Sequence, residues 1–149
     1  MLDIIIPGEP VAKGRPRVAL IGGRPRAYTP AKTAAWEKMA ATLLRGHWHK
    51  VSLAEPVIVK VDCVFKRPKR LLRKRDPEER VIKATKPDVD NCIKAALDSA
   101  VLSGVLVDDS WVVSVTATKW YAAKGEAEHV RLVIEPWTWG VTDDSVSCG

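Results

Sequence analysis

The stretch KPDVDNCIKAALDSAVLSGVLVDD, residues 86–109, is rich in aspartate. Four of its aspartates, Asp88, Asp90, Asp108 and Asp109, are placed around a predicted helix that carries Lys94. Carboxylates brought within a few ångströms repel one another unless a cation neutralises them. Magnesium suits such a set, because it takes oxygen ligands and leaves positions for substrate phosphate oxygens. These residue types favour metal-assisted chemistry on a phosphate-bearing substrate.

The cationic residues lie mainly in the first half of the chain. Residues 1–75 hold 17 Lys/Arg against 5 Asp/Glu, whereas residues 76–149 hold 7 against 13. Seven of the ten residues in the run KRPKRLLRKR, from 66 to 75, are cationic, which is typical of a phosphate-contacting loop. The motifs KGRPR and GGRPR add further cations at predicted turns. The candidate DNA contacts are Lys13, Arg15, Arg17, Arg24, Arg26, Lys66, Arg67, Lys69, Arg70, Arg73, Lys74, Arg75 and Lys86. The alternative for each is a turn or loop that faces water.

Hydrophobic periodicity predicts an α/β (α+β) fold in the order ββαβαββ, with a mixed sheet of about five strands and two main helices. The predicted strands are 2–6, an extended segment ending in a hairpin-like tip at 22–26, 56–65, 111–121 and 129–135, the last two forming an antiparallel hairpin. The predicted helices are 31–48, capped by Thr29, and 88–101, capped by Asp88. Residues 66–86 are predicted to be a long loop, with a helical turn at 76–80, that orders on DNA.

The second helix positions the chemical residues. Asp90, Lys94 and Asp98 recur every four residues and form one stripe, while Val89, Ile93, Ala96, Leu97 and Ala100 are predicted to face the core. Taken singly, each acid has a structural explanation: Asp88 as a helix cap, Asp90 and Lys94 as a surface ion pair, and Asp108-Asp109 as a turn. A turn after Ser103-Gly104 would bring Asp108 and Asp109 back toward the helix.

Length and composition indicate a single domain. With 149 residues, 46% of them hydrophobic, the chain can bury one sizeable core, predicted over residues 1–135 and followed by a loosely attached tail, 136–149. No apolar run approaches the roughly 20 residues of a membrane span, and the N-terminus does not resemble a signal peptide, so a cytoplasmic protein without membrane contact is expected. The three cysteines lack a zinc-site pattern and are expected to be reduced, with Cys63 and Cys92 buried.

The acidic motif K-P-D-x-D-N-x-x-K-x-x-x-D, the connection through Gly104 to VLVDD, and the N-terminal KGRPR resemble the RusA family of Holliday junction resolvases over roughly residues 3–135. The resemblance implies an intertwined homodimer of a kind commonly encoded by prophages. It also implies an Mg²⁺-dependent endonuclease activity that cuts symmetric strands of four-way DNA junctions in recombination and repair. By motif position it implies that Asp88, Asp90 and Asp109 are the essential metal-binding acids and that Lys94 is the catalytic lysine. Asp108 is a further metal candidate.

Two other functions remain open. A non-catalytic DNA-binding module would use the aspartates as caps and ion-pair partners, and would leave binding to the cationic loops. A metal-dependent nuclease acting on flaps, forks or linear duplex would keep the same residues and change only the substrate.

Overall fold

The computed structural model describes residues 1–14, 17–28 and 30–138, and for Arg17 the backbone alone. The strands are β1 Leu2–Pro7, β2 Arg17–Ile21, β3 Arg24–Tyr28, β4 Val57–Phe65, β5 Val81–Ile82, β6 Val112–Tyr121 and β7 His129–Pro136, and the helices are α1 Ala31–His47 and α2 Val89–Ser103. Five of the strands form a mixed sheet in the order β1-β7-β4-β6-β5, in which β4 and β6 are parallel and the other neighbours are antiparallel. Within these described ranges, no helix is long and apolar enough to cross a membrane.

The core lies between one face of this sheet and the two helices. Strand β4 shows why the sheet folds this way, since its alternating residues Val57, Val59, Val61 and Cys63 are buried and pack with apolar residues of both helices. Helix α2 is the crossover that connects β4 to its parallel neighbour β6. The start of α2 is therefore held against the sheet by the hydrophobic core.

The fold-class prediction is confirmed: the sheet is mixed, has five strands and is covered by two main helices. The predicted hairpin between the last two strands is wrong, because β4 lies between β6 and β7 and pairs with both. Strand β4 takes the centre of the sheet, with one face buried; on its outer face Val64 is buried and Lys60 is exposed. The seven residues 122–128 connect β6 to β7 past β4.

Strands β2 and β3 form a separate two-stranded ribbon, as the predicted hairpin tip requires. Gly22 and Gly23 make its turn with φ of 62° and 78°, a left-handed conformation that glycine adopts without strain. The register places Val18, Leu20, Pro25 and Ala27 on one face. The other face presents Arg24 and Arg26 beside Ala19, Ile21 and Tyr28.

Helix α2 begins and ends close to the predicted positions. Asp88 is the N-cap residue, and Gly104 ends the helix with φ of 82° and an N–H bonded to Val101 O at 3.1 Å. The buried stripe is displaced by one position from the prediction: Cys92, Ala95, Ala96, Ser99, Ala100 and Ser103 face the core, whereas Val89 is 38% exposed. Small residues on this face let α2 lie close to its neighbours, and α1 packs against it.

Cys63 and Cys92 are free and buried, as predicted, on facing sides of the layer between β4 and α2. The third cysteine, Cys148, the predicted cap Thr29 and the greater part of the predicted tail lie outside the described residues.

Candidate active site and nucleic-acid interface

The start of α2 presents two of the predicted acids. Asp88 occupies the N-cap position, but its side chain accepts no capping hydrogen bond, so capping does not account for its carboxylate. Asp90 lies in the first turn, where the helix dipole favours negative charge. Both residues are exposed at the surface. Helix α2 thus fixes the positions of these two carboxylates, and it does so without a capping hydrogen bond to the Asp88 side chain.

The second pair of acids lies in a short 3-10 turn, Asp109–Trp111, that leads into β6. Asp108 caps this turn, since its Oδ2 accepts the Ser110 N–H at 3.0 Å. The Ser110 hydroxyl, followed by this N–H, lowers the pKa of Asp108 below its usual value. The carboxylate of Asp109 instead points toward α2 and lies 3.3 Å from Lys94 Nζ. The turn chemistry expected from the sequence thus applies to Asp108, and Asp109 is the acid directed at the helix.

Lys94 is held between two carboxylates. Its Nζ lies 3.2 Å from Asp98 Oδ1, one helical turn further along, and 3.3 Å from Asp109 Oδ2. The hydrogen bond to Asp98, followed by that to Asp109, raises the pKa of Lys94 above its usual value. The ammonium is therefore charged, and with 52% of its side chain exposed it remains open to a substrate. The predicted acid–base–acid stripe is confirmed at Lys94 and Asp98.

The four aspartates supply oxygen ligands of the type that Mg²⁺ prefers. Across residues 1–14, 17–28 and 30–138, however, no group of three His, Cys, Asp or Glu side chains is arranged to hold a metal ion. The carboxylate oxygens thus fit the expected metal ion, but within the described residues no three of these side chains are grouped to bind it. The assignment of Asp88, Asp90, Asp109 and Asp108 as metal ligands stays a prediction.

The N-terminal cations separate into two groups. Lys13 turns inward to form ion pairs with Glu37 and Asp98, both at 3.0 Å. Arg24 and Arg26 are exposed on the ribbon, where they remain candidate DNA contacts. Arg15 lies outside the described residues, and only the backbone of Arg17 is described.

Arg67 requires a correction. Its side chain is not a surface contact, because the residue is only 5% exposed and its guanidinium donates to four backbone carbonyls. The acceptors are Leu71 O at 2.7 Å, Pro77 O at 2.6 Å, Glu79 O at 2.8 Å and Ala122 O at 3.3 Å. Arg67 thus ties the basic loop, residues 66–80, onto the end of β6.

The basic loop makes defined contacts with the rest of the fold. Lys124 donates to Arg73 O at 2.8 Å and to Asp76 O at 2.9 Å, and these hydrogen bonds tie the loop to the residues that follow β6. It contains a 3-10 turn at Lys69–Leu71 rather than a helical turn at 76–80, and β5 follows it. The remaining loop cations, Lys66, Lys69, Arg70, Arg73, Lys74 and Arg75, are exposed. These six residues are the part of the run that can reach a phosphate.

Some contributing residues carry no signal in the sequence. Lys83, Lys86 and Lys32 line an open pocket of about 650 Å³ beside the entry to α2. The Lys83 ammonium lies over the rings of Phe65 and Tyr121, with Nζ 5.1 and 4.9 Å from their centroids. Of these three lysines, only Lys86 is a candidate from the sequence.

A second pocket, of about 420 Å³, is lined by Lys13, Glu37, Asp98 and the Asp108-Asp109 pair. Glu37, on α1, could not be singled out because its partners are distant in the chain.

An α+β chain that combines a carboxylate–lysine centre with a folded basic loop has the features of enzymes acting on nucleic-acid phosphates. The comparisons agree with this class. The family model described as endodeoxyribonuclease RusA matches residues 7–134, so the chain belongs to the RusA endodeoxyribonuclease family. A curated relative, the "Uncharacterized protein YqaN" of Bacillus subtilis (strain 168), is 32% identical over 126 residues, which cover 81% of this chain and 88% of that protein.

Proposed function

We propose that this protein is a structure-specific endodeoxyribonuclease that resolves four-way (Holliday) DNA junctions by symmetric phosphodiester cleavage. The observation that carries the proposal is the exposed Lys94 ammonium of helix α2, held between Asp98 and Asp109 in a RusA-family chain. In this proposal Asp88, Asp90, Lys94 and Asp109 are the catalytic residues.

Lys94 would act as an electrostatic group. Its stem is fixed on α2, and its ammonium can move from Asp109 to a phosphate oxygen, where it would stabilise the charge that develops in the transition state. Asp88, Asp90 and Asp109, with Asp108 as a further candidate, would hold Mg²⁺. That ion would lower the pKa of an attacking water and neutralise phosphate charge.

DNA binding would depend on the exposed cations of the basic loop, on Arg24 and Arg26 of the ribbon, and on Lys86. These side chains can contact phosphates in any sequence, which suits recognition of a branched structure. Symmetric cutting of two strands needs two sites, which an isologous homodimer would supply. We also propose that the protein is cytoplasmic.

The test is cleavage of a synthetic mobile four-way junction, beside linear duplex and a fork, in Mg²⁺ or EDTA. We compare the wild type with Asp90→Asn and with the matched control Asp3→Asn, which removes an aspartate paired with Arg131 outside the site, at 2.6 Å. Paired symmetric nicks in the junction alone, lost in Asp90→Asn and in EDTA and kept in Asp3→Asn, support a resolvase. Equal cutting of all three DNAs retains the nuclease and rejects junction specificity. Tight binding without cutting in any divalent metal replaces the enzyme by a DNA-binding module.

A further inference from the structure

Lys13 joins a buried glutamate to the α2 site. Its Nζ lies 3.0 Å from Glu37 Oε2 on α1 and 3.0 Å from Asp98 Oδ2 on α2. Only 20% of the lysine side chain and 11% of the glutamate side chain are exposed. The backbone N–H of Lys13 also donates to Asn91 O at 2.9 Å, so the segment carrying Lys13 is fastened directly to α2. This lysine is built into the fold.

Asp98 connects Lys13 to Lys94. One carboxylate oxygen, Oδ2, faces Lys13, and the other, Oδ1, faces Lys94 at 3.2 Å. Lys94 in turn reaches Asp109. The contacts therefore form a continuous chain of alternating charge from Glu37 through Lys13, Asp98 and Lys94 to Asp109.

The charges in this chain suggest what Lys13 does. Without Lys13, this chain of contacts would hold one cation, Lys94, and three carboxylates, and Asp98 would have Lys94 as its one cationic partner in the chain. The Lys94 ammonium would then be held more strongly by Asp98 and would be less free to meet a phosphate. With Lys13 present, part of the negative charge of Glu37 and Asp98 is compensated, and each oxygen of Asp98 has a cation beside it.

We infer that Lys13 and Glu37 are positioning residues: Glu37 holds Lys13 in place, and Lys13 offsets the charge of Asp98 and orients it, so that Lys94 is directed toward Asp109 and stays available to the scissile phosphate. The inference rests on the proposed function. It also gives Lys13 a role inside the protein in place of the DNA contact expected from the KGRPR motif.

The first test separates these two roles. We measure junction affinity in EDTA over a salt series and single-turnover cleavage in Mg²⁺ for Lys13→Met and Glu37→Gln. The control Lys60→Met removes a lysine paired with Glu135 on the opposite sheet face, at 3.7 Å. Positioning predicts about tenfold slower cleavage in both site variants, unchanged junction affinity and salt dependence, and recovery of rate in Lys13→Arg. Weaker binding of Lys13→Met, with a salt slope reduced by about 1, would overturn the inference in favour of a phosphate contact.

A second readout does not depend on cleavage. The side-chain methylene resonance of Lys94 next to Nζ should shift in both Lys13→Met and Glu37→Gln and stay in place in Lys60→Met. An unmoved resonance in the two site variants would show that Lys13 and Glu37 do not affect the environment of Lys94, and would overturn the inference. If the wild type cut no DNA but the resonance shifted, the proposed function would fail while the coupling of Lys13 to Lys94 stood.

Discussion

Arg67 belongs to the basic run and Lys94 to the acidic motif of α2, and the structure surrounds these two cations in opposite ways. Arg67 is 5% exposed and donates only to backbone carbonyls, whereas the Lys94 side chain is 52% exposed and faces two carboxylates. Buried carbonyl groups are cut off from water and need a hydrogen-bond donor within the protein. A buried cation that donates to them therefore has a structural role. An exposed cation between acids can exchange those partners for a phosphate. Burial and the type of acceptor thus separate structural from chemical cations where sequence motifs cannot.

The comparison is tested most strongly by removing the Lys94 charge. We expect Lys94→Met to slow junction cleavage by at least about 100-fold, because the transition-state charge on the phosphate loses an electrostatic partner. Its stability should change by less than about 1 kcal/mol, since exposed ion pairs contribute little. Single-turnover kinetics and urea unfolding of the same preparation measure both quantities. A large loss of stability with normal cleavage per folded molecule would make Lys94 a structural residue like Arg67.

Removal of Arg67 should give the reverse pattern. Arg67→Met leaves four carbonyls without their donor and should lower the free energy of unfolding by about 3 kcal/mol. Urea unfolding measures this change, and Arg75→Met, an exposed cation of the same loop, is the matched control, expected to change stability by less than about 0.5 kcal/mol. Equal stability of the two variants would contradict the organising role of Arg67.

The ion pair of Glu126 with Arg80 tests whether a second partly buried arginine contributes to stability through its acceptor. The Glu126 carboxylate accepts from Arg80 at 2.6 to 3.1 Å, and this hydrogen bond, joined by that from the Ala123 N–H, lowers the pKa of Glu126 to about 2. Because the folded-state pKa is below the usual value of 4.5, the pair stabilises the protein above that pH and loses its contribution as the pH falls toward 2.

We therefore expect Glu126→Gln to cost about 2 kcal/mol at pH 7 and progressively less below pH 4.5, after allowance for the partly exposed pair. Urea unfolding at several pH values measures the difference between variant and wild type. Glu135→Gln, which disrupts the longer Lys60 pair, should change stability by less than about 1 kcal/mol. A difference for Glu126→Gln that stayed constant down to pH 2 would exclude this carboxylate as its source.

Local patterns in the sequence predicted much of this arrangement. The four-residue spacing of Lys94 and Asp98 on a helix requires their contact, and Asp88 before Val89 has the form of a helix start. Long-range partners were beyond such patterns. Lys13 finds its acids on two different helices, and the carbonyls around Arg67 come together only when the loop folds against β6. The pairing of β6 with β4 likewise joins strands that are distant in the chain.

The smallest expected effects concern the cations at the loop surface. Lys74 is exposed, whereas Arg73 already pairs with Asp76 at 3.4 Å, although its side chain is 55% exposed. If both contact phosphate, each glutamine variant should weaken junction binding by a few-fold and reduce the salt slope by about 1. Prior pairing should make the loss smaller for Arg73→Gln than for Lys74→Gln, because Asp76 must first be released. Binding titrations at four salt concentrations measure the slopes. A larger effect at Arg73 would mean that its pairing orients the guanidinium toward DNA, and a surface ion pair would then assist binding instead of competing with it.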